Sequence, residues 1–178
     1  MHARLLVGAL TAIVVAAATA SAASHTIVVR KGAVVRIGDF STTGRAGSTI
    51  GGAIQAFGRP SSRVRFAGRN GCRDRWATAG IRAVFADFGA GEACLDGRVQ
   101  NLTVRTRPWR TQRGLHVGDR VGRLRRLHPA ARLHRKSWWL YTAVSPFGPT
   151  PTRYPLVRAR VDGGRVTSLT AEIGAAGE

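Results

Sequence analysis

The sequence predicts an α+β protein of two tandem units, each a short helix packed on a roughly four-stranded antiparallel sheet. Three observations carry this. The heptapeptide GRVQNLT, Gly97 to Thr103, returns as GRVTSLT, Gly164 to Thr170, with Asp96 and Asp162 just upstream. Near-copies at one fixed offset are how a duplicated unit looks in sequence. Each copy is preceded by a stretch of helical periodicity that stops at a proline, Pro60 or Pro129, and then by strand-like runs. The chain's 178 residues suffice for one good core or two small units sharing an interface.

Taken in order, residues 1–22 read as a signal peptide. Arg4 supplies a short positive region, Leu5 to Ala18 an apolar run interrupted by Thr11, and ATASAA the small residues a signal peptidase reads, most simply after Ala22. A retained membrane anchor is the alternative, but a span needs about 20 apolar residues and this run is shorter. No Cys stands directly after the cleavage site and residues 1–22 hold no Arg-Arg pair, so neither a lipoprotein nor a twin-arginine route is expected. The mature chain is expected to be secreted or extracytoplasmic, with no transmembrane segment. In an oxidising compartment the two cysteines, Cys72 and Cys94, are expected to form one disulfide.

The first unit, residues 23–106, opens with a lead-in hairpin, TIVVR-KG-AVVRI, that turns at Lys31-Gly32. A helix follows, capped by Ser48 or Thr49, with Ile50, Ile54 and Phe57 on one face and Gly58 at its end. Strands are expected at 63–67, 72–76, 81–88 and 98–105, with the GRNG turn between the first two. The second unit, residues 107–178, begins in a linker around Pro108. Asp119 is expected to cap a short helix whose Val121, Leu124 and Leu127 face one way. Strands at 131–135, 138–144, 154–161 and 165–173 complete it, the last two joined by Asp162-Gly163-Gly164, a strong hairpin signal. Each heptapeptide is then a fourth strand. Leu102, Val104, Leu169, Ala171 and Ile173 should face a core, joined there by Trp76 and by Trp138 or Trp139, while Thr103 and Thr170 face away.

This order, with AFGRP (Ala56 to Pro60), GLHVGD (Gly114 to Asp119), the paired GRVxxLT strands and the exported Cys pair, resembles the SmpA/OmlA (BamE-like) domain. Two such units in tandem resemble the β-lactamase-inhibitory-protein family of secreted actinobacterial proteins, over roughly residues 36–173. The wording of WWLYTAVSPFG and the terminal GAAGE is more similar to uncharacterised secreted actinobacterial proteins. The second unit departs in having no disulfide. No inhibitor contact residue is matched, so inhibitory activity is not carried over.

Groups able to do chemistry are sparse. His116, His128 and His134 are scattered without metal-ligand spacing, and His128 beside Pro129 reads as a surface residue. Asp87 stands alone and reads as an outward strand-end residue, and no GxSxG elbow marks a serine. No enzyme, cofactor or metal is expected. The charge is more telling: 28 Lys+Arg against 9 Asp+Glu, with Lys31 and Lys136 the only lysines. Codon usage and a dedicated anion-binding role both account for that one-sidedness. Alternate strand residues share a face, so Arg63 with Arg65, Arg73 with Arg75, and Arg158 with Arg160 are expected to form an Arg comb on one sheet face. Val64, Phe66, Val157, Ala159 and Val161 then suit the core. The proline-stiffened loop Ser145 to Pro155 presents Phe147 and Tyr154 as a candidate binding loop.

The function expected is a secreted, non-enzymatic protein-binding or envelope-associated role, inhibition included. The alternative is binding of an anionic polymer or lipid headgroup through the Arg face. The partner is expected to be an extracytoplasmic protein or an anionic envelope polymer, and nucleic acid is disfavoured.

Overall fold

Period-two alternation governs most of the chain and fixes its architecture. The computed structural model describes residues 24–44, 47–67, 70–145 and 150–174. The expected signal peptide, Phe147, half of the GRNG turn and the last four residues lie outside them. In chain order the elements are β1 (Thr26–Arg30), β2 (Ala33–Ile37), β3 (Phe40–Ser41), α1 (Ile50–Phe57), β4 (Ser62–Phe66), β5 (Gly71–Trp76) and β6 (Ile81–Ala86). There follow α2 (Ala93–Asp96), β7 (Arg98–Val104), β8 (Arg110–Thr111), α3 (Val121–Leu127), β9 (Arg132–His134), β10 (Ser137–Ser145), β11 (Thr152–Asp162) and β12 (Arg165–Glu172). They build a four-stranded sheet, β3-β2-β1-β8, and an eight-stranded sheet, β4-β5-β6-β7-β12-β11-β10-β9.

The expected α+β class, two helix-on-sheet units, is therefore wrong: the protein is mostly β. Among the described residues the longest helix, α1, has 8 residues and is only about 12 Å long at 1.5 Å per residue, too short to cover a sheet. Cover for the large sheet comes instead from the small one, which recruits the lead-in hairpin and, as β8, a piece of the expected linker. Nor do the strands close two separate sheets, since β7 and β12 join them into one.

That junction pairs the two heptapeptides. Val104 lies opposite Leu169, Thr103 opposite Thr170 and Leu102 opposite Ala171. The two threonine hydroxyls are hydrogen-bonded at 3.0 Å, and Leu102, Val104, Leu169 and Ala171 are fully buried on the other face. Both longer helices start beside this junction: the Ile50 N–H donates to the Gly97 carbonyl at 3.1 Å, and the Val121 N–H to the Gly164 carbonyl at 2.9 Å. The two repeated glycines are needed for different reasons. A Cβ at Gly97 would sit 2.2 Å from the Ala93 carbonyl oxygen, whereas Gly164 has φ +72° in the hairpin turn.

Between the sheets, Phe57 at the end of α1 is the centre of an aromatic cluster. Its ring lies 5.7 Å from Phe40, 5.6 Å from Trp76 and 6.3 Å from Trp109, tilted or edge-on. Both buried indoles find acceptors: Trp76 Nε1 donates to the Gly58 carbonyl at 2.7 Å and Trp109 Nε1 to the Ala79 carbonyl at 2.9 Å. Thr49 caps α1, its hydroxyl accepting from the Gly52 N–H at 3.2 Å. Asp119 does not cap α3 as expected. Arg120 holds the N-cap position, and the Asp119 carboxylate accepts from the His116 N–H at 2.8 Å and pairs with Arg123 at 3.2 Å.

The disulfide Cys72–Cys94 ties β5 to α2. Beside it, Nε and Nη2 of Arg63 donate to the two oxygens of the fully buried Asp74, each at 2.7 Å, and Nη1 donates to the Cys94 carbonyl at 3.0 Å. The hydrogen bond to Asp74 raises the Arg63 pKa above its ordinary value, against the opposing effect of burial. One side chain thus clamps β4, β5 and α2 together.

Replacing both cysteines with serine should lower stability by about 3 kcal/mol, read as a shift of the denaturant midpoint, and reduction of the native bond should reproduce it. Asp74→Ala should cost about 3 kcal/mol, because breaking one side of a buried pair leaves the other unmatched. Asp74→Leu combined with Arg63→Met should recover part of that loss.

Candidate functional site

Pairing register decides which side of the sheet each arginine takes, because directly opposed residues point to the same face. Arg63 and Arg65 lie opposite Asp74 and Cys72, on the inner side. There Arg63 meets Asp74, and Arg65 pairs with Glu92. Val64 and Phe66 consequently turn outward and do not join the core. Val64 is 51% exposed, and the guanidinium of Arg73 stacks 5.2 Å over the Phe66 ring. Two acids distant in sequence draw the arginines of β4 inward and reverse the expected assignment.

The remaining four, Arg73, Arg75, Arg158 and Arg160, are on the outer face. Arg73, Arg75 and Arg160 are exposed there, and Arg158 pairs with Glu172. Successive registers place Arg75, Arg82, Thr103, Thr170, Arg158, Trp139 and Arg132 opposite one another in a single row across β5-β6-β7-β12-β11-β10-β9. At about 4.8 Å per strand the row is about 29 Å long. Sequence reasoning missed Arg82, Arg132 and Trp139. The basic–apolar alternation of β6 contains only one arginine, so nothing in IRAVFA marked Arg82 as part of a comb.

The sharpest feature of the row is the pair Arg75 and Arg82. They are directly opposed, both are exposed, and among the described residues neither side chain has an ionic or hydrogen-bond partner. Like charges in that position repel, and an anion laid between them would remove the repulsion. At the other end of the row Arg158 is half satisfied. Its Nη2 meets Glu172, while its Nε is buried without a partner.

The other sequence candidates are dispersed. Tyr154 belongs to β11 and is half-buried against the core. Asp87 lies just beyond β6 and accepts from the Gly89 N–H at 2.8 Å. His134 stacks on Trp139 with ring centroids 4.5 Å apart, and Trp138 packs partly against the core. His128 is no surface residue. It is 1% exposed, with Nε2 3.1 Å from the Thr111 hydroxyl and its ring edge-on to Tyr141 at 5.1 Å. Burial, and then the charge of Arg113, lower its pKa to about 4. Among the described residues no three His, Cys, Asp or Glu side chains converge as a metal ion would require, and no helix is long and apolar enough to cross a membrane.

No family model matches the chain, and no curated protein matches it. Among solved structures, an extracellular protein containing a SCP domain from Bacillus anthracis str. Ames is 11% identical. The alignment covers 84% of this chain and 51% of that one, at a TM-score of 0.43, a likeness too slight to carry an argument. The chain thus spans about half the length of that protein. Neither the SmpA/OmlA (BamE-like) nor the β-lactamase-inhibitory-protein resemblance is confirmed by these comparisons.

The buried histidine makes a testable statement. In the unfolded chain it titrates near 6.5 and in the folded chain at about 4. As pH falls through that window the unfolded chain takes up the proton first, so stability declines between pH 6.5 and 4 and levels off below. The loss is about 3 kcal/mol at most, at about 1.4 kcal/mol per pKa unit. Urea midpoints measured across this range should fall in the native protein, and the part due to this residue should vanish in His128→Gln.

Proposed function

We propose that this is a non-enzymatic, extracytoplasmic binding protein whose outer sheet face receives an anionic polymer. The observation that carries the reading is the unneutralised Arg75–Arg82 pair, standing at one end of a row of basic and hydroxyl side chains that crosses the sheet. Guanidinium groups bind carboxylate, sulfate or phosphate through paired N–H donors, and a fixed sheet holds their backbone in position, so that only the side chains pay an ordering cost on binding. A formal net charge of +19 adds long-range attraction for any polyanion. The disulfide favours an oxidising compartment, hence an envelope or extracellular polymer as the partner. Reading the chain as a binder of a partner protein has less support, since Arg63 and Arg65 are neutralised and Tyr154 packs inward.

Affinity for heparin, used as a soluble sulfated polymer, should fall linearly on a log–log plot against salt, because bound guanidiniums release counterions. Arg75→Gln combined with Arg82→Gln should weaken binding about tenfold at low salt with the fold intact. Arg30→Gln combined with Arg36→Gln removes the same charge from the small sheet and should cost much less. Equal losses in the two double variants, or an affinity flat in salt, would sink the proposal.

A further inference from the structure

At the far end of the row from Arg75, the β9–β10 hairpin and β11 border an open cavity of about 520 Å³ lined by His134, Arg135, Lys136, Trp139, Pro155 and Arg158, together with Ser137. That size is within the range of small-molecule sites. Its lining joins Arg135, Lys136 and Arg158 to an indole; no carboxylate is among the lining residues, and Glu172 pairs with Arg158 from outside them. Two observations single it out from the basic surface in general. The Arg158 Nε is a buried charged donor with no acceptor, an arrangement that costs free energy until an acceptor arrives. At the hairpin tip, Arg135 has φ +55°, a left-handed conformation that glycine adopts freely and other side chains adopt at a cost. Lys31 in the β1–β2 turn shares this conformation, at φ +47°, whereas the β11–β12 turn uses Gly163-Gly164. In the β9–β10 turn the strained position is held by a guanidinium that lines the cavity together with Lys136.

We propose that this cavity is a subsite for one sugar unit bearing an anionic substituent. This rests on the polyanion reading of the outer face and names the unit of the polymer that face would hold. His134 already covers part of Trp139, leaving the indole to pack against the apolar C–H face of a sugar ring, while Arg135 and Lys136 take the anion beside Arg158. Trp139 stands four strands from Arg82 in the row, about 19 Å at 4.8 Å per strand. A disaccharide therefore fills the cavity without reaching the Arg75–Arg82 pair, so the two proposals are separable.

The test uses the mature protein labelled with ¹⁵N and titrated with a uronate disaccharide, a sulfated disaccharide, their neutral counterpart, inorganic phosphate and a short thymidine oligonucleotide. Either acidic disaccharide is expected to shift the Trp139 indole N–H resonance, assigned through Trp139→Phe, at least tenfold more tightly than the neutral sugar or phosphate. Arg135→Gly relieves the backbone cost while removing the cation, so it should fold at least as well and still weaken binding about tenfold. Arg158→Gln should do likewise, and Arg75→Gln with Arg82→Gln should leave disaccharide binding unchanged. Phosphate bound as tightly as the acidic sugars would reduce the cavity to a simple anion site and overturn the inference. So would tighter binding of the oligonucleotide, or a loss on Arg30→Gln equal to that on Arg135→Gly. Loss of disaccharide binding in the Arg75/Arg82 variant would contradict the subsite alone, whereas an unchanged heparin affinity there would contradict only the polymer face.

Discussion

β7 and β12 meet with Thr103 facing Thr170, and this register determines which side chains share a face across all eight strands. The hydroxyl contact between the threonines is worth about 1 kcal/mol net. The opposite face weighs far more. Slipping one strand by a single residue would turn its apolar set to water, and Leu102, Val104 and Leu169 each gain about 1.5–3 kcal/mol from burial. Their sum approaches the whole stability of an ordinary domain. The register is therefore held by the apolar side and displayed by the threonines on the polar side. The row from Arg75 to Arg132 is built from directly opposed residues in each pair on either side of it.

Charge is used in two opposite ways on the two faces. On the inner side, Arg63 is bound to Asp74 and the Cys94 carbonyl next to the disulfide, and Arg65 to Glu92. These groups are consumed in holding β4 and α2 in place. On the outer side the acids run out: Glu172 meets Arg158, while Arg75 and Arg82 face each other with no acid between them. Composition alone treats all of these arginines alike. Their distinction is geometric, and it leaves Arg75 and Arg82 facing each other unneutralised on the outer face.

Much of the local structure was legible. Lys31-Gly32 and Gly163-Gly164 do turn hairpins, Thr49 does cap α1, and Leu102, Val104, Leu169 and Ala171 are buried as alternation with Thr103 and Thr170 requires. The fold class was not legible, because periodicity reveals an apolar face without revealing what covers it. A second sheet and a helix leave the same mark on the strands beneath. Strand β4 shows a related limit. SRVRF alternates equally well in either orientation, and the acids that decide it, Asp74 and Glu92, become neighbours only after folding. His128 was misread for a similar reason, since the proline that follows it signals a helix end but says nothing of Thr111 and Tyr141 closing over the ring. The candidate site was half visible: paired arginines announced themselves, while solitary Arg82 and Arg132 needed the register.

The eight-stranded sheet is open, and its two outermost strands have unpaired backbone groups of the kind to which another chain's strand adds. One border, β9, has three residues and the other, β4, five, both short templates. Two copies of a chain with a formal net charge of +19 also repel one another. That repulsion is screened as salt rises, with a Debye length near 10 Å at 0.1 M and about 3 Å at 1 M. The same ionic strength that frees the protein from a polyanion thus also removes what keeps its copies apart, so release from the partner and self-association are driven by one variable.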